Sequence, residues 1–298
     1  MTDNEFLLFD RLTKIQSVVN QYGEENFYIS YSGGKDSTVL HELVDMAIPG
    51  NRIPRVYANT GIELNMIRDF VKAKAESDER FVIVRPSQSI KKVLEEKGYP
   101  FKSKEHSTYL NIYQNNHSMT KTVHRYLYPE EKRKTFGCPQ KLRYQFTEDF
   151  TLPVSKKCCD EIKKKPLHTW QRENNKPYAM IGIRRAEGGQ RSSAKCLAFS
   201  RDKLKSFQPL VAVDDSFIDW FIEEHNIDIC PIYAPPYNFK RTGCKGCPFA
   251  VDLQRELDVL EEFFPNERKQ CEIIWKPVYD EYRRLNYRLK DNGQLKLF

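Results

Sequence analysis

Apolar positions in the first part of the chain follow two rhythms in turn. Over residues 5–22 (EFLLFDRLTKIQSVVNQY) they recur every three or four places, which predicts an opening helix. NFYISY is a short β-rich apolar run and predicts a strand. STVLHELVDMA returns to helical spacing, with Val39, Leu40, Leu43 and Val44 on one face and Pro49–Gly50 to end it. RIPRVYANTG predicts a second strand and ELNMIRDFVKAKA a helix; FVIVRP predicts a third strand and SQSIKKVLEEKG a further helix. Strands alternating with helices in units of about 30 residues build a parallel sheet covered by helices. The expected class is α/β, with a mostly parallel, doubly wound sheet.

The alternation stops between about Phe101 and Leu152, where the chain turns polar, basic and aromatic, as in PEEKRKTFGCPQKLRYQF. This stretch reads as an insertion, a helical subdomain or a lid. Strand character returns at KPYAMIGIRR and again at FQPLVAV. DDSFIDWFIEEHN predicts an amphipathic helix with acids in its first turn, where the helix dipole favours them. From Leu253 to Lys290 the pattern is helical.

Composition changes this picture little. Of the 298 residues, 40% are hydrophobic and 30% charged, the balance of a folded, water-soluble protein. No apolar stretch approaches the roughly 20 residues of a membrane-spanning helix. The start, MTDNEFLLFDRL, is acidic before it is apolar and does not read as a secretory signal, so a cytoplasmic location is expected. The net charge of +7 suits nucleotides, sulfated or phosphorylated substrates, nucleic acid, or simply a solvated basic surface. The eight cysteines say more. A reducing compartment argues against a disulfide framework, and four of them fall in two tight pairs, Cys158–Cys159 and Cys244–Cys247, which points to metal binding.

Ser32-Gly33-Gly34-Lys35-Asp36-Ser37 lies where a buried strand meets a helix. The free N–H groups of a helix start, with the positive end of its dipole, form an anion site. Two glycines let the backbone come close to a phosphate, Ser32 and Ser37 bring hydroxyls, and Lys35 brings a cation. Asp36 suits a helix cap or Mg²⁺. The run is neither a Walker A loop nor G-x-G-x-x-G. Ser, Gly and Asp also serve ordinary strand-to-helix turns.

This run resembles the PP-loop of the adenine-nucleotide α-hydrolase superfamily. Asn59-Thr60-Gly61 at the end of the second strand is similar to the Asp-Thr-Gly of sulfonucleotide reductases. Gly182-x-Arg184-Arg185-x-Glu187 resembles their Gly-x-Arg-Arg-x-Glu, and Pro209-Leu210 before a helix with Trp220 resembles their Pro-Leu…Trp. Over roughly residues 25–250, without the insertion, the chain resembles the phosphoadenylyl-sulfate (PAPS) and adenylyl-sulfate (APS) reductase family. The resemblance implies an α/β nucleotide-binding domain over 1–250, with an insertion at about 101–152 and a helical extension over 251–298. It implies a nucleotide, ATP or adenylyl sulfate, at Ser32–Ser37 and Asn59–Gly61, with Mg²⁺ if ATP is used. Catalytic roles fall to Lys35, Asp36, Arg184 and Arg185, the two guanidiniums suiting a phosphate or sulfate.

Four soft thiolates suit an iron–sulfur cluster or a closed zinc site, and adjacent cysteines fit awkwardly on one zinc tetrahedron. Vicinal Cys, a long spacer and Cys-x-x-Cys resemble the 4Fe–4S signature of adenylyl-sulfate reductases. That resemblance implies such a cluster on Cys158, Cys159, Cys244 and Cys247, with zinc as second choice.

The chain departs from the family at its end. Reductases attack sulfur with a cysteine in a carboxy-terminal Glu-Cys-Gly, whereas this sequence closes on DNGQLKLF. Cys271 lies in a helical pattern beside Glu272, which disfavours its thiolate. The expected function is therefore ATP-dependent adenylation coupled to sulfur transfer onto an acceptor such as nucleic acid, with a thiol or cysteine-desulfurase partner and a homo-oligomer both compatible. The alternatives are a reductase releasing sulfite, with Cys271, Cys138 or a partner protein supplying the thiol, and a non-catalytic nucleotide sensor.

Overall fold

The computed structural model describes residues 2–130 and 137–290. Residues 131–136 of the expected insertion and 291–298 of the expected helical extension lie outside the described residues. The elements follow in the order α1 (Asp3–Tyr22), β1 (Phe27–Tyr31), α2 (Lys35–Ala47), β2 (Arg55–Ala58), α3 (Asn65–Ser77), β3 (Phe81–Val84), α4 (Ile90–Lys97), α5 (Lys104–Asn116) and α6 (Lys121–Leu127). After a 3₁₀ stretch at Gln140–Phe146 come α7 (Lys157–Cys159), a π turn (Asp160–Lys164), α8 (Lys165–Glu173), β4 (Tyr178–Met180), β5 (Leu197–Ser200), β6 (Lys203–Phe207), α9 (Asp215–Glu224), α10 (Leu253–Phe263) and α11 (Pro265–Arg284). No helix of the described residues is long and apolar enough to cross a membrane.

The chain divides into two units. The first comprises 1–59, 63–86 and 165–242; the second comprises 60–62, 87–164 and 243–298. The first unit holds the sheet, in the order β3-β2-β1-β4-β6-β5, all parallel but for β5 against β6. This is the expected doubly wound α/β architecture. Ile15, Val18, Phe27, Ile29, Val39, Leu40, Leu43, Phe207, Phe217 and Phe221 form one core, joining α1, α2 and α9 to the sheet. Tyr28, Val56, Ala58, Leu167 and Ala179 form another, with Trp170 of α8 packed against it. The side chains of β1 alternate between these two cores, which is the period-two geometry of a strand buried on both faces.

The FQPLVAV segment differs from expectation. Its strand, β6, lies earlier, and Pro209–Ala212 forms a 3₁₀ turn. Pro209 has no N–H for a ladder, and its carbonyl accepts from Arg11 Nη1 at 2.9 Å. β5, which the sequence reading missed, pairs with β6 as a hairpin turning on Arg201 and Asp202, at φ 47° and 63°.

The second unit is mainly helical. His106 of α5 is its fully buried polar centre, bonded through Nδ1 to Tyr126 Oη and through Nε2 to Gln145 Oε1, both at 2.8 Å. Ser89, Ser103 and Thr120 cap α4, α5 and α6 with their side chains.

A buried charge network ties β2 to α2 in the first unit. Arg55 is fully buried; its Nε donates to His41 Nδ1 and its Nη1 to Asn51 Oδ1, each at 2.9 Å, and its Nη2 pairs with Asp45. Since Nδ1 of His41 accepts, the imidazole is neutral. Burial, reinforced by Arg55, pushes its pKa down to about 4. The sign follows: the unfolded chain holds the extra proton between about 6.5 and 4, so this contribution is full above about 6.5 and is lost as pH falls toward 4. His41→Gln is expected to reduce the fall in urea stability across that window. Arg55→Ala, which empties a buried site while Asp45 keeps its two bonds from Arg80, is expected to cost about 2–4 kcal/mol in urea denaturation.

Candidate functional site

Strand order fixes where the site forms. β1 runs into α2 and on to β2 on one side, while β4 lies on its other side, so chain direction reverses beside the end of β1. Such a switch point opens a crevice at the carboxyl ends of the strands, where ligands of open α/β sheets bind.

Ser32, Gly33 and Gly34 turn the chain from β1 into α2. Gly33 has φ 72°, and a Cβ there would stand 2.8 Å from Val71 Cγ2, so only glycine fits. Ser37 Oγ donates to the Gly34 carbonyl at 3.0 Å and accepts from the Ser32 N–H at 3.2 Å. The serines therefore close the loop into a ring. Gly34 is the N-cap of α2 and no side chain caps it. The Tyr233 hydroxyl accepts from the Lys35 N–H and is bonded to Thr242. Lys35 Nζ reaches outward, 3.4 Å from Asp219.

Arg184 comes from the far side of the switch. A Cβ on Gly182 would stand 2.9 Å from the Asp36 carbonyl oxygen, so this glycine lets the chain beyond β4 touch the loop. Arg184 Nε donates to Asp36 Oδ1 at 2.9 Å, and Nη2 lies 2.8 Å from Asp215 Oδ1. Its Nη1 is buried with no partner, on a residue only 7% exposed. Burial pushes the Asp36 carboxyl up, while Arg184, Arg191 and Arg241 draw it back. Arg191 and Arg241 both pair with Glu187, the latter at 3.5 Å. Burial, then the neighbouring Arg241, holds the Arg191 guanidinium below its ordinary value. Three guanidiniums around one carboxylate beside a helix start favour a bound anion.

Of the residues named from the sequence, Ser32–Ser37 and Arg184 stand together. Arg185 turns away, its Nε donating to the Ala194 carbonyl at 2.8 Å. Asp36 gives its carboxylate to Arg184 and does not cap α2. Asn59 ends β2, its N–H bonded to the Val84 carbonyl at 2.8 Å. Thr60 and Gly61 fall in the second unit; Thr60 Oγ1 accepts from the Ile62 N–H at 3.4 Å, and Gly61 has φ 78°. Sequence reasoning missed Arg191, Asp215, Tyr233, Arg241 and Thr242. Only Arg191 left a signal, four residues after Glu187.

The second unit gathers both cysteine pairs. Cys158 is buried, and Cys159, Cys244 and Cys247 are half-buried. The Cys158 thiol donates to Cys159, which raises its own pKa and pulls Cys159 down to about 6. Cys158 also feels the charges of Cys247 and Cys244. Burial pushes the Cys247 thiol up to about 12, against an N–H of Phe249 aimed at its sulfur. Lys104 and Lys163 lie near enough to favour the Cys159 thiolate. Lys245 pairs with Glu267 at 3.1 Å. Among the described residues no group of three or more His, Cys, Asp or Glu side chains is drawn close enough to hold a metal ion. The chemistry of the donor set, two pairs of thiols with two ammoniums near Cys159, is that of a thiolate-held centre, but the four sulfurs are not drawn together into one.

The close approach at Gly182 yields a prediction. Gly182→Ala is expected to lose about 1–3 kcal/mol in urea denaturation, because the new methyl meets backbone atoms. Gly243→Ala, with nothing within 4 Å of its added carbon, is expected to stay within about 0.5 kcal/mol of the parent.

Several solved structures are similar to the chain. The phosphoadenylyl-sulfate reductase of Candida auris, in its phosphate complex, has a TM-score of 0.44 and 11% identity, over 77% of this chain and 87% of that one. The U34-tRNA thiolase NcsA of Methanococcus maripaludis, with its 4Fe–4S cluster, gives 0.42 and 16%, over 95% and 80%. The NH3-dependent NAD synthetase of Campylobacter jejuni gives 0.42 and 12%, over 95% and 97%. No curated protein matches the chain. Residues 120–250 match the family model described as the phosphoadenosine phosphosulfate reductase domain. That segment contains both cysteine pairs and Gly182–Glu187, and leaves out the Ser32–Ser37 loop. Over residues 120–250 the chain is thus similar to the phosphoadenosine phosphosulfate reductase domain.

Proposed function

We propose that this protein binds an adenine nucleotide at Ser32–Ser37 and uses it to adenylate an acceptor oxygen, in a reaction coupled to sulfur transfer. The observation that carries the reading is Arg184: a buried guanidinium, fixed by Asp36, with one Nη left unpartnered beside the phosphate-type loop. A phosphate or sulfate oxygen there would complete its hydrogen bonds. Arg191 and Arg241 would add charge, Lys35 would swing from Asp219 to the phosphate chain, and Asp36 would hold Arg184 in place. The acceptor oxygen would attack the α-phosphorus, the bond to pyrophosphate would break, and pyrophosphate would leave with Mg²⁺. A sulfur nucleophile would then displace AMP from the activated carbon or phosphorus.

The cysteines favour adenylation over reduction of a sulfonucleotide. A reductase needs an accessible thiolate. Outside the two pairs, Cys138 and Cys271 are buried, and burial pushes their thiols up to about 11 and about 12. Cys196 and Cys230 are also raised by burial. Cys158, Cys159, Cys244 and Cys247 would hold a 4Fe–4S cluster, or zinc, and the cluster when bound would supply a site for sulfur or electrons. A nucleic-acid acceptor is supported by the second unit. There Arg143 lies 5.2 Å over the Tyr128 ring, and a cavity of about 460 Å³ is walled by Tyr144, Phe150, Pro277 and Arg284, a lining suited to a base.

Binding of ATP–Mg²⁺ and of adenylyl sulfate, measured separately by titration calorimetry, tests the nucleotide site. Arg184→Ala and the double variant Lys35→Ala/Ser37→Ala are each expected to weaken binding by about tenfold or more. Unchanged affinity in folded variants would remove the site. Pyrophosphate and AMP formed with a nucleic-acid acceptor support adenylation, whereas sulfite released from adenylyl sulfate under a thiol reductant would replace it with reductase chemistry.

A further inference from the structure

Helix α11 lies wholly beyond the segment that matches the family model, yet it holds the second cysteine pair from behind. Trp275 Nε1 donates to the Lys245 carbonyl at 3.0 Å, Tyr279 Oη to the Gly246 carbonyl, and Tyr282 Oη to the Pro248 carbonyl at 2.8 Å. Positions 275, 279 and 282 follow the i, i+4, i+7 spacing of one helix face, and all three side chains are fully buried. Each donor therefore meets its carbonyl without competing water. At the start of the same helix, Glu267 takes the Lys245 ammonium in a buried ion pair at 3.1 Å. The loop lies so close that a Cβ on Gly246, itself at φ 60°, would stand 2.8 Å from Cys271 Sγ.

We propose that α11 is a template for the Cys244–Cys247 loop, with Trp275, Tyr279 and Tyr282 as positioning residues for the thiols of that loop; in its consequence for metal the proposal rests on the metal-centre reading above. A loop that presents sulfur to a cation has to turn its carbonyl oxygens elsewhere, and buried carbonyls need donors. The helix supplies three of them, one for each of residues 245, 246 and 248, while the Phe249 N–H remains on the Cys247 sulfur. Phenylalanine would fill the same space at 279, so that hydroxyl serves the loop and not the packing; the Tyr282 hydroxyl also accepts from the Lys102 N–H at 2.7 Å, and Arg288 Nη1 is a second donor to the Pro248 carbonyl at 2.7 Å. Partners of this kind set the orientation of metal-binding side chains.

The test uses the full chain and two separate readouts. Iron, sulfide and zinc in anaerobically prepared wild-type protein report on the metal centre alone: four cysteine ligands holding metal support it, and metal-free protein after reconstitution with ferrous iron and sulfide, or with zinc, removes it. Iodoacetamide labelling of Cys244 and Cys247 in the metal-stripped protein reports on the template alone. Trp275→Phe/Tyr279→Phe is expected to raise that labelling rate by about tenfold or more, since two buried hydrogen bonds no longer hold the loop. Tyr126→Phe, which removes a buried hydroxyl bonded to His106 away from the loop, is the control and is expected to leave the rate unchanged. A labelling rate equal to wild type in the double variant, or an equal rise in the control, would overturn the template. Trp275→Phe, which keeps an aromatic ring and removes only the indole donor, is expected to act in the same direction.

Discussion

A guanidinium taken out of water has to be given a carboxylate, and in the first unit that requirement joins two distant parts of the chain. Arg184 and Asp36 stand 148 positions apart, yet their side chains meet at 2.9 Å. The meeting depends on the reversal of strand order beside β1, on the missing side chain of Gly182, and on a glycine turn that lets α2 begin at once. Each of these is a backbone condition, satisfied before any ligand is bound. What the arrangement leaves over is one buried Nη and the uncapped start of a helix, both polarised toward negative charge. Preorganised donors of this kind do not have to be rearranged when an anion arrives.

The second unit answers a different demand. Thiols that are to be ionised together need nearby cations and N–H groups, because four negative sulfurs repel one another. Lys104, Lys163 and the Phe249 N–H supply part of that compensation. The aromatic face of α11 deals with the opposite polarity, donating to the carbonyl oxygens of Lys245, Gly246 and Pro248, the last of which also accepts from Arg288. Charge of each sign is thus met by separate elements, and the polypeptide between Gly243 and Pro248 is constrained on two sides.

Much of this was legible in the sequence, for reasons that differ by element. β1 is buried on both faces and reads as a short apolar run, while β2 shows as a strand despite its buried Arg55; α2 and α9 show their periodicity plainly, and the loop carries its two glycines in view. The cysteine pairs were visible as spacing. β5 and β6 were not, since their hairpin turns on Arg201 and Asp202 at positive φ in place of the usual Asn-Gly, and their outward residues, Phe199, Ser200, Lys203 and Lys205, mix apolar and polar. Arg241 was equally hidden, because it sits in a loop with no periodicity and gains meaning only through Glu187. The aromatic face of α11 could be seen as a helix stripe, but which carbonyls it serves depends on tertiary packing alone.

The same hairpin also governs how the sheet ends. An unpaired strand edge exposes N–H and C=O groups to any extended chain in solution, and long flat edges recruit one another into aggregates. Here the outermost strand has four residues, and its register shifts between Ala198 and Phe199. A bulge in so short a strand spoils the repeat that an incoming strand would have to match. At the opposite margin β3 is just as short and is bracketed by Arg80 and Arg85. Both margins of the sheet therefore offer an incoming strand little regular ladder to extend.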